Sequence, residues 1–338
     1  MPTMQEIKMR EKIQKDKPLV YNKIMKYEDN IKAGKSIAML QIQPSYNCNF
    51  TCKHCSVSCF RFQRRETLTL EEIEKLCNDA DEYGLAQLDL TGGEPLVFKN
   101  LEQILKAIKP ERFYLAIATN GWELTADKAV WLKQHGVDRI LLSLDSLEES
   151  EHDDFRNKWG SWKRAISAID NSLNAGLDLK INTVITHERV RSKEFDQFLK
   201  FIKAMGARLE ALPAKPAGEW QGRTDILLTK DDEKYLSETY GVQLHTSKHY
   251  DMDLGCLAVK KIIVVTAYGD VIPCIWMYYS LGNIKVMPFK DIMAKGMNMF
   301  GAYYPKCRMS DPEFLEAYNK SIQAKILPIP IEDIAEVK

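Results

Sequence analysis

Between residues 36 and 212 the sequence repeats one pattern six times: a short apolar run, then a segment whose apolar residues recur at helical spacing. The runs fall at residues 38–42, 86–90, 113–118, 139–144, 179–185 and 207–212. Strand-helix alternation of this kind calls for a parallel sheet, because parallel neighbours need a long crossover and that crossover is right-handed. The segment 70–84 illustrates the helical half. Leu70, Ile73, Leu76, Cys77, Ala80 and Tyr83 share one face, and Thr69 with Glu72 makes a capping box. Gly84, Gly136, Gly176 and Gly206 stand before the next strand, where a left-handed helix stop belongs. Eight such units would close a complete barrel. Six predict an α/β fold, a partial (β/α)6 TIM-like barrel whose chemistry lies at the C-terminal ends of its strands.

The flanks divide the chain into three expected domains. Residues 1–35 read as two polar helices, 4–15 and 21–32, parted by Pro18 and covering the barrel; the barrel takes 36–215. The rhythm breaks at Pro213-Ala214-Lys215-Pro216-Ala217-Gly218, and 216–338 reads as a small α+β domain. Its elements are a helix at 230–240, a hairpin of 261–266 and 270–273 about Tyr268-Gly269, and a helical, Pro-broken tail. The segments 220–225 and 276–279 read as pocket walls, although aromatic residues at such spacing more often pack. With 47 Lys+Arg against 47 Asp+Glu the chain is neutral, which argues against a nucleic-acid partner. No apolar run is long enough to cross a bilayer, and the charge-studded first 35 residues lack the apolar core of a signal peptide. The expectation is a cytoplasmic chain with reduced cysteines, clustered for metal or redox chemistry.

Eight cysteines fall in three groups: Cys48, Cys52, Cys55 and Cys59; Cys77 alone; and Cys256, Cys274 and Cys307. The spacing Cys48-x3-Cys52-x2-Cys55 follows the first strand directly. Three soft ligands on one loop suit a thiolate-loving metal. Structural zinc wants four ligands, and no second C-x-x-C pair is near, although His54 or Cys59 can supply a fourth. A [4Fe-4S] cluster held by three cysteines leaves one iron open for reaction. Cys77 lies on an apolar helix face and reads as core. Cys59 stays open between a hydrogen donor to substrate, a stray ligand and a packed thiol.

The loop resembles the radical S-adenosylmethionine (radical SAM) superfamily, with His54 at the signature's aromatic position. That resemblance implies a cluster whose open iron chelates S-adenosylmethionine, and reductive cleavage to a 5'-deoxyadenosyl radical that takes hydrogen from an unreactive C–H bond. It also implies an external electron donor such as flavodoxin or ferredoxin. Thr91-Gly92-Gly93-Glu94-Pro95 resembles the family's GGEP motif, which holds the methionine amino group; paired glycines admit a cation to the backbone and Glu94 can neutralise it. Asn120 ends the third strand. Ser143 and Asp145 end the fourth at a spacing of two, suited to ribose hydroxyls or the methionine carboxylate. Asn182 in the fifth strand resembles a polar residue near the bound cofactor.

Cys256, then Gly269 and Cys274, form a C-x12-G-x4-C pattern similar to half of the SPASM and twitch auxiliary-cluster domains. With only Cys307 beyond, the chain has ligands for one auxiliary [4Fe-4S] cluster and not two. Its fourth ligand is then substrate or a donor that the sequence does not identify; alternatively Cys307 is a free hydrogen donor, or the cysteines are merely packed. The resulting expectation is an enzyme abstracting hydrogen from a small polar metabolite of sugar or cyclitol type, with oxidation or epimerisation as the outcome. About 35 residues precede the barrel, too few for the peptide-recognition domain common among peptide-maturing relatives, so a peptide substrate stands second. A non-catalytic protein with structural zinc is the competing class.

Overall fold

The computed structural model describes residues 4–334 apart from 243, 245–251 and 324. Six parallel strands, β1 (Met39–Ile42), β2 (Gln87–Leu90), β3 (Tyr114–Thr119), β4 (Arg139–Ser143), β5 (Asp178–Ile185) and β6 (Arg208–Pro213), pair in sequence order. Every expected strand is found, shifted by a residue at most ends. Three helices precede the sheet, α1 (Met4–Asp16), α2 (Pro18–Met25) and α3 (Tyr27–Lys32), so the second expected helix is interrupted at Lys26. The crossovers carry α4 (Leu70–Tyr83), α5 (Leu101–Ile108), α6 (Ala126–Gln134), α7 (Glu149–Arg156), α8 (Ser161–Asn174) and α9 (Lys193–Ala204). The capping box of Thr69 and Glu72 forms, and Gly84 ends α4 at φ 94°. Helix α5 departs from the glycine pattern, ending on Lys109 at φ 54°.

Beyond α10 (Lys230–Tyr240) come β7 (Ile262–Val265), β8 (Asp270–Ile272), β9 (Tyr279–Ser280), β10 (Gly282–Asn283), α11 (Phe289–Phe300), α12 (Pro312–Ile322) and β11 (Ile329–Pro330). The hairpin of β7 and β8 forms as its turn predicts. Its strands also join the barrel: β7 runs parallel to β1 with Leu40 opposite Ile263, and the sheet order becomes β10-β8-β7-β1-β2-β3-β4-β5-β6. One nine-stranded sheet therefore crosses residue 216, and its ends, β6 and β10, do not pair, leaving a partial barrel. No helix among the described residues is long and apolar enough to cross a membrane.

The barrel is hollow because its inner face is polar. Along β5, Leu179, Ile181, Thr183 and Ile185 are buried, while Lys180, Asn182 and Val184 alternate with them and face the interior. A closed eight-stranded barrel fills its centre with bulky branched side chains. Here Gln41, Asp89, Ser143, Lys180, Asn182 and Glu210 line a cavity of about 1190 Å³. The apolar core sits outside it, between strands and helices, with Leu40, Ile42, Ile73, Leu88, Leu90 and Ile117 fully or almost fully buried.

Candidate active site

The cysteine loop lies across the C-terminal end of β1 and is stitched to the loop after β2. Gly93 N–H donates to Ser45 O (2.9 Å) and Glu94 N–H to Asn47 O (2.8 Å). A Cβ on Gly93 would stand 2.0 Å from Asn47 O, and one on Gly92, at φ 119°, 2.4 Å from Ser45 O. The paired glycines are therefore required first by the protein's own backbone, beyond any approach of a cationic ligand. Gly218 does the same from above. At φ 61° its Cβ would meet Cys55 O at 2.0 Å, so the segment after β6 seats on the loop.

Cys48, Cys52 and Cys55 all face the cavity. Burial pushes the Cys48 thiol up to about 11 and raises that of Cys52. Against this, Phe50 N–H points to Cys48 Sγ at 3.4 Å, and Arg156 Nη1 lies 4.0 Å from Cys52 Sγ. A buried cation beside a thiol favours its ionised, ligating form. His54 stacks on Phe155, ring centroids 4.3 Å apart and nearly parallel, with Trp220 tilted against both. Its Nδ1 is buried with no partner, and burial with Arg156 holds it neutral, its pKa pushed down to about 3. His54 acts here as an aromatic ring.

Glu94 is buried and faces the cavity while accepting from Thr119 Oγ1 (2.7 Å), Asn120 N (2.7 Å) and Leu96 N (3.1 Å). Burial outweighs those bonds and pushes its carboxyl up to about 7. Asn120 also lines the cavity, with its side-chain amide spent on Asn49 Oδ1 (2.9 Å) and Trp122 N (2.9 Å). Ser143 and Asn182 line it too, and Asn182 Oδ1 is buried with no protein partner.

Asp145 does not line the cavity. Strand β4 ends at Ser143, so the period of two that would align Asp145 with it no longer applies. Asp145 instead lies behind Arg156, whose Nε (2.7 Å) and Nη2 (2.6 Å) both reach Oδ2, while Val184 N–H donates to Oδ1 (3.0 Å). Arg156 itself faces the cavity, and nothing in the sequence singled it out. Lys215 was also missed. It sits inside the proline-flanked segment read as a junction, yet it is buried, lines the cavity and bonds Ser310 Oγ.

The second cysteine set converges on the same cavity. Cys256, Cys274 and Cys307 are buried and all three line it, and Cys274 feels the charge of the other two. Gly255 brings them together: at φ 59° its Cβ would meet Tyr304 O at 1.9 Å, and Cys256 N–H donates to Tyr304 O (2.8 Å). The Lys215 charge acts on Cys307 against the burial that raises its thiol. Cys59 stands apart, off the cavity wall, its Sγ 3.9 Å from Ser56 O; burial pushes it up to about 12. Cys77 is packed in the core. Trp220 and Trp276 line the cavity, whereas Arg223 and Asp225 pair with each other in solvent and Tyr278 is buried in the core. Among the described residues no three His, Cys, Asp or Glu side chains form a group fit for a single metal ion. A four-iron cluster gives each thiolate its own iron, whereas structural zinc gathers four ligands on one ion.

Sequence profiles match two stretches of the chain. The radical SAM superfamily matches residues 42–202, and an iron-sulfur cluster-binding domain, SPASM, matches 256–309. The chain belongs to the radical SAM superfamily. A GTP 3',8-cyclase of Rhodopseudomonas palustris is 33% identical over 201 residues, 57% of each chain, and one of Rhizobium meliloti is 34% identical over 204 residues. The chain thus matches little more than half the length of these curated relatives. Among solved structures, Streptococcus suis SuiB bound to precursor peptide SuiA superposes with TM-score 0.61 at 16% identity, covering 81% of this chain and 69% of that one. Native anSMEcpe with bound AdoMet gives 0.61 at 18%, covering 87% and 93%. At such identities the likeness is one of fold. As a radical SAM protein with a SPASM region, the chain takes a [4Fe-4S] cluster, S-adenosylmethionine and an auxiliary cluster. Two cysteine triplets lining one cavity, a guanidinium beside one of them and the unpartnered Asn182 Oδ1 fit that set.

Proposed function

We propose that this radical SAM enzyme abstracts hydrogen from a small polar metabolite, of sugar or cyclitol type, held between its two iron-sulfur clusters, with oxidation or epimerisation as the outcome. The observation that carries the proposal is that both cysteine triplets line one cavity whose inner strand faces are polar. When bound, the cluster and S-adenosylmethionine supply the hydrogen-abstracting radical.

In this reading Cys48, Cys52 and Cys55 hold the reactive cluster, and Cys256, Cys274 and Cys307 the auxiliary one. Arg156 offers a fixed cation to the cofactor's carboxylate, and Glu94 a buried carboxylate to its ammonium. Ser143 and Asn182 take hydroxyl groups. His54, Phe155 and Trp220 form an aromatic wall that keeps water from the radical. Below them, burial pushes Asp89 up to about 6 and Lys261 down to about 8, so both change charge near neutrality. Such groups suit the proton that an alcohol releases on oxidation. An auxiliary cluster beside the substrate offers a place for the accompanying electron.

A second reading, cyclisation of a nucleoside triphosphate, is supported by the identity to GTP 3',8-cyclases and by the cations Arg139, Lys180, Arg208 and Lys261 on the cavity wall. Much of that charge is already met, since Asp178 takes Arg139 and Arg208, and Glu210 takes Lys180. The peptide-modifying alternative rests on likeness of fold alone.

The test is 5'-deoxyadenosine formation by anaerobically reconstituted holoenzyme with reductant, alone and with cyclitols, amino sugars or GTP. Stimulation by a cyclitol or sugar, with deuterium passing from its C–D bond into 5'-deoxyadenosine, is expected. Stimulation by GTP alone would sink the preferred reading in favour of the second.

A further inference from the structure

Beside the cysteine loop the surface rises into a shoulder built by the turn between α7 and α8. Lys53 N–H donates to Phe155 O (3.1 Å) and Asn157 Nδ2 to Thr51 Oγ1 (2.9 Å), so the turn is clipped to the loop that carries Cys52. Asp153, buried beneath, fixes the turn by accepting from Gly160 N (2.6 Å), Ser161 Oγ (2.8 Å) and Trp162 N (2.7 Å). Asn157 and Gly160 take the left-handed backbone that the turn needs, at φ 50° and 80°.

The product of this bracing is a Trp159 side chain that is 79% exposed. A large aromatic group held in water by a fixed backbone stabilises nothing within the monomer, whereas tryptophan and arginine dominate protein interfaces. Lys158 and Arg164 flank it and stand over the Trp122 ring at 4.7 and 5.4 Å. Among the described residues neither has a carboxylate partner, while Lys53 and Lys163 are balanced by Asp154 and Glu149. The shoulder therefore presents two cations without ion-pair partners, Lys158 and Arg164, around an apolar centre and above the buried Asp153 carboxylate. Behind it, Trp122 meets Phe50 edge to face at 5.8 Å, and Phe50 N–H lies 3.4 Å from Cys48 Sγ. Packed protein thus runs unbroken from the shoulder to the first cysteine.

We propose that this shoulder, centred on Trp159 with Lys158 and Arg164, is the docking site of an acidic one-electron carrier protein that reduces the cluster held by Cys48, Cys52 and Cys55. The step moves one electron from the reduced carrier to the cluster, with no bond made or broken and no proton required. Trp122 and Phe50 serve as the packed medium between them and are not themselves oxidised. The proposal rests on the assignment of these three cysteines to the reactive cluster.

Two reductants separate the possibilities. Dithionite needs no docking site, whereas reduced flavodoxin, an acidic carrier, does. In Trp159→Ala/Arg164→Glu holoenzyme, 5'-deoxyadenosine formation with limiting flavodoxin should fall roughly tenfold at low ionic strength, and the difference should shrink as salt is added. With dithionite the same variant should keep the wild-type rate, which also establishes that it folds and carries its cluster. Arg64→Glu, beside the exposed Phe62, should leave both rates unchanged. Equal flavodoxin rates in wild type and the double variant would overturn the docking site, as would a loss confined to Arg64→Glu. A wild type silent even with dithionite would overturn the cluster assignment, and the docking site with it.

Discussion

Asp145 grips Arg156 through two bonds to a single carboxylate oxygen, and this sets the free edge of the guanidinium 4.0 Å from Cys52 Sγ. Both residues are buried. Burial by itself would raise the Asp145 carboxyl, but the guanidinium beside it prevails and holds it below the ordinary range. The pair's contribution to stability is therefore present above about pH 3.8 and is lost as pH falls further.

Arg156→Met should cost about 3–5 kcal/mol, because it strands a buried carboxylate. Urea unfolding of the apo chain measures it. Arg156→Met/Asp145→Leu should recover part of the loss without restoring S-adenosylmethionine binding. A double variant with normal cofactor affinity would show that Arg156 serves the fold alone.

Iron analysis of reconstituted protein should return roughly eight irons per chain, two four-iron clusters. Cys274→Ser or Cys307→Ser should lower that to about four and leave dithionite-driven cleavage of S-adenosylmethionine in place. A wild-type value near four would exclude the auxiliary cluster.

Glu94 titrates near 7 against the ordinary 4.5, because burial disfavours its charge. The folded apo chain accordingly binds a proton that the unfolded chain lacks between these values, and Glu94 lowers stability as pH rises from 4.5 towards 7. An ammonium ligand would require the ionised form. The affinity of the holoenzyme for S-adenosylmethionine should then climb from pH 6 to 8 in wild type and stay flat in Glu94→Gln, as read by calorimetry.

His54→Phe should preserve the stack on Phe155 and remove a buried, unpartnered nitrogen, gaining up to about 1 kcal/mol. The four-iron signal in electron paramagnetic resonance should survive. Its loss would make His54 a ligand.

Gly93→Ala would drive a methyl group to within 2.0 Å of Asn47 O. The expected cost is about 1–3 kcal/mol, and the shifted cysteine loop should take up less iron at its first cluster.

The partial barrel was legible because its signals are local. Each strand is a short apolar run and each crossover has a helical period, and Thr69, Glu72 and Gly84 mark the ends of α4 within a single turn. Three thiolates within eight residues likewise announce themselves, as does a Gly-Gly-Glu-Pro turn after a strand. Asp145 marks where local reasoning ends. The alternation that would turn it inward holds only while the chain is a strand, and β4 stops two residues earlier.

What remained belonged to tertiary structure. Cys55 and Cys256 are 201 positions apart, and they share a cavity only because β7 returns to pair with β1. Arg156 and Lys215 are an unremarked helix end and a residue between two prolines until the fold turns both into the cavity that the two cysteine sets line. The sequence by itself determined the alternating strands, the two cysteine sets and the chemistry they suit, since spacing along a chain fixes periodicity and side-chain type. Only the folded sheet decided that both sets face one hollow interior, which cations stand beside them and which acids hold those cations, because long-range pairing and burial have no local signature.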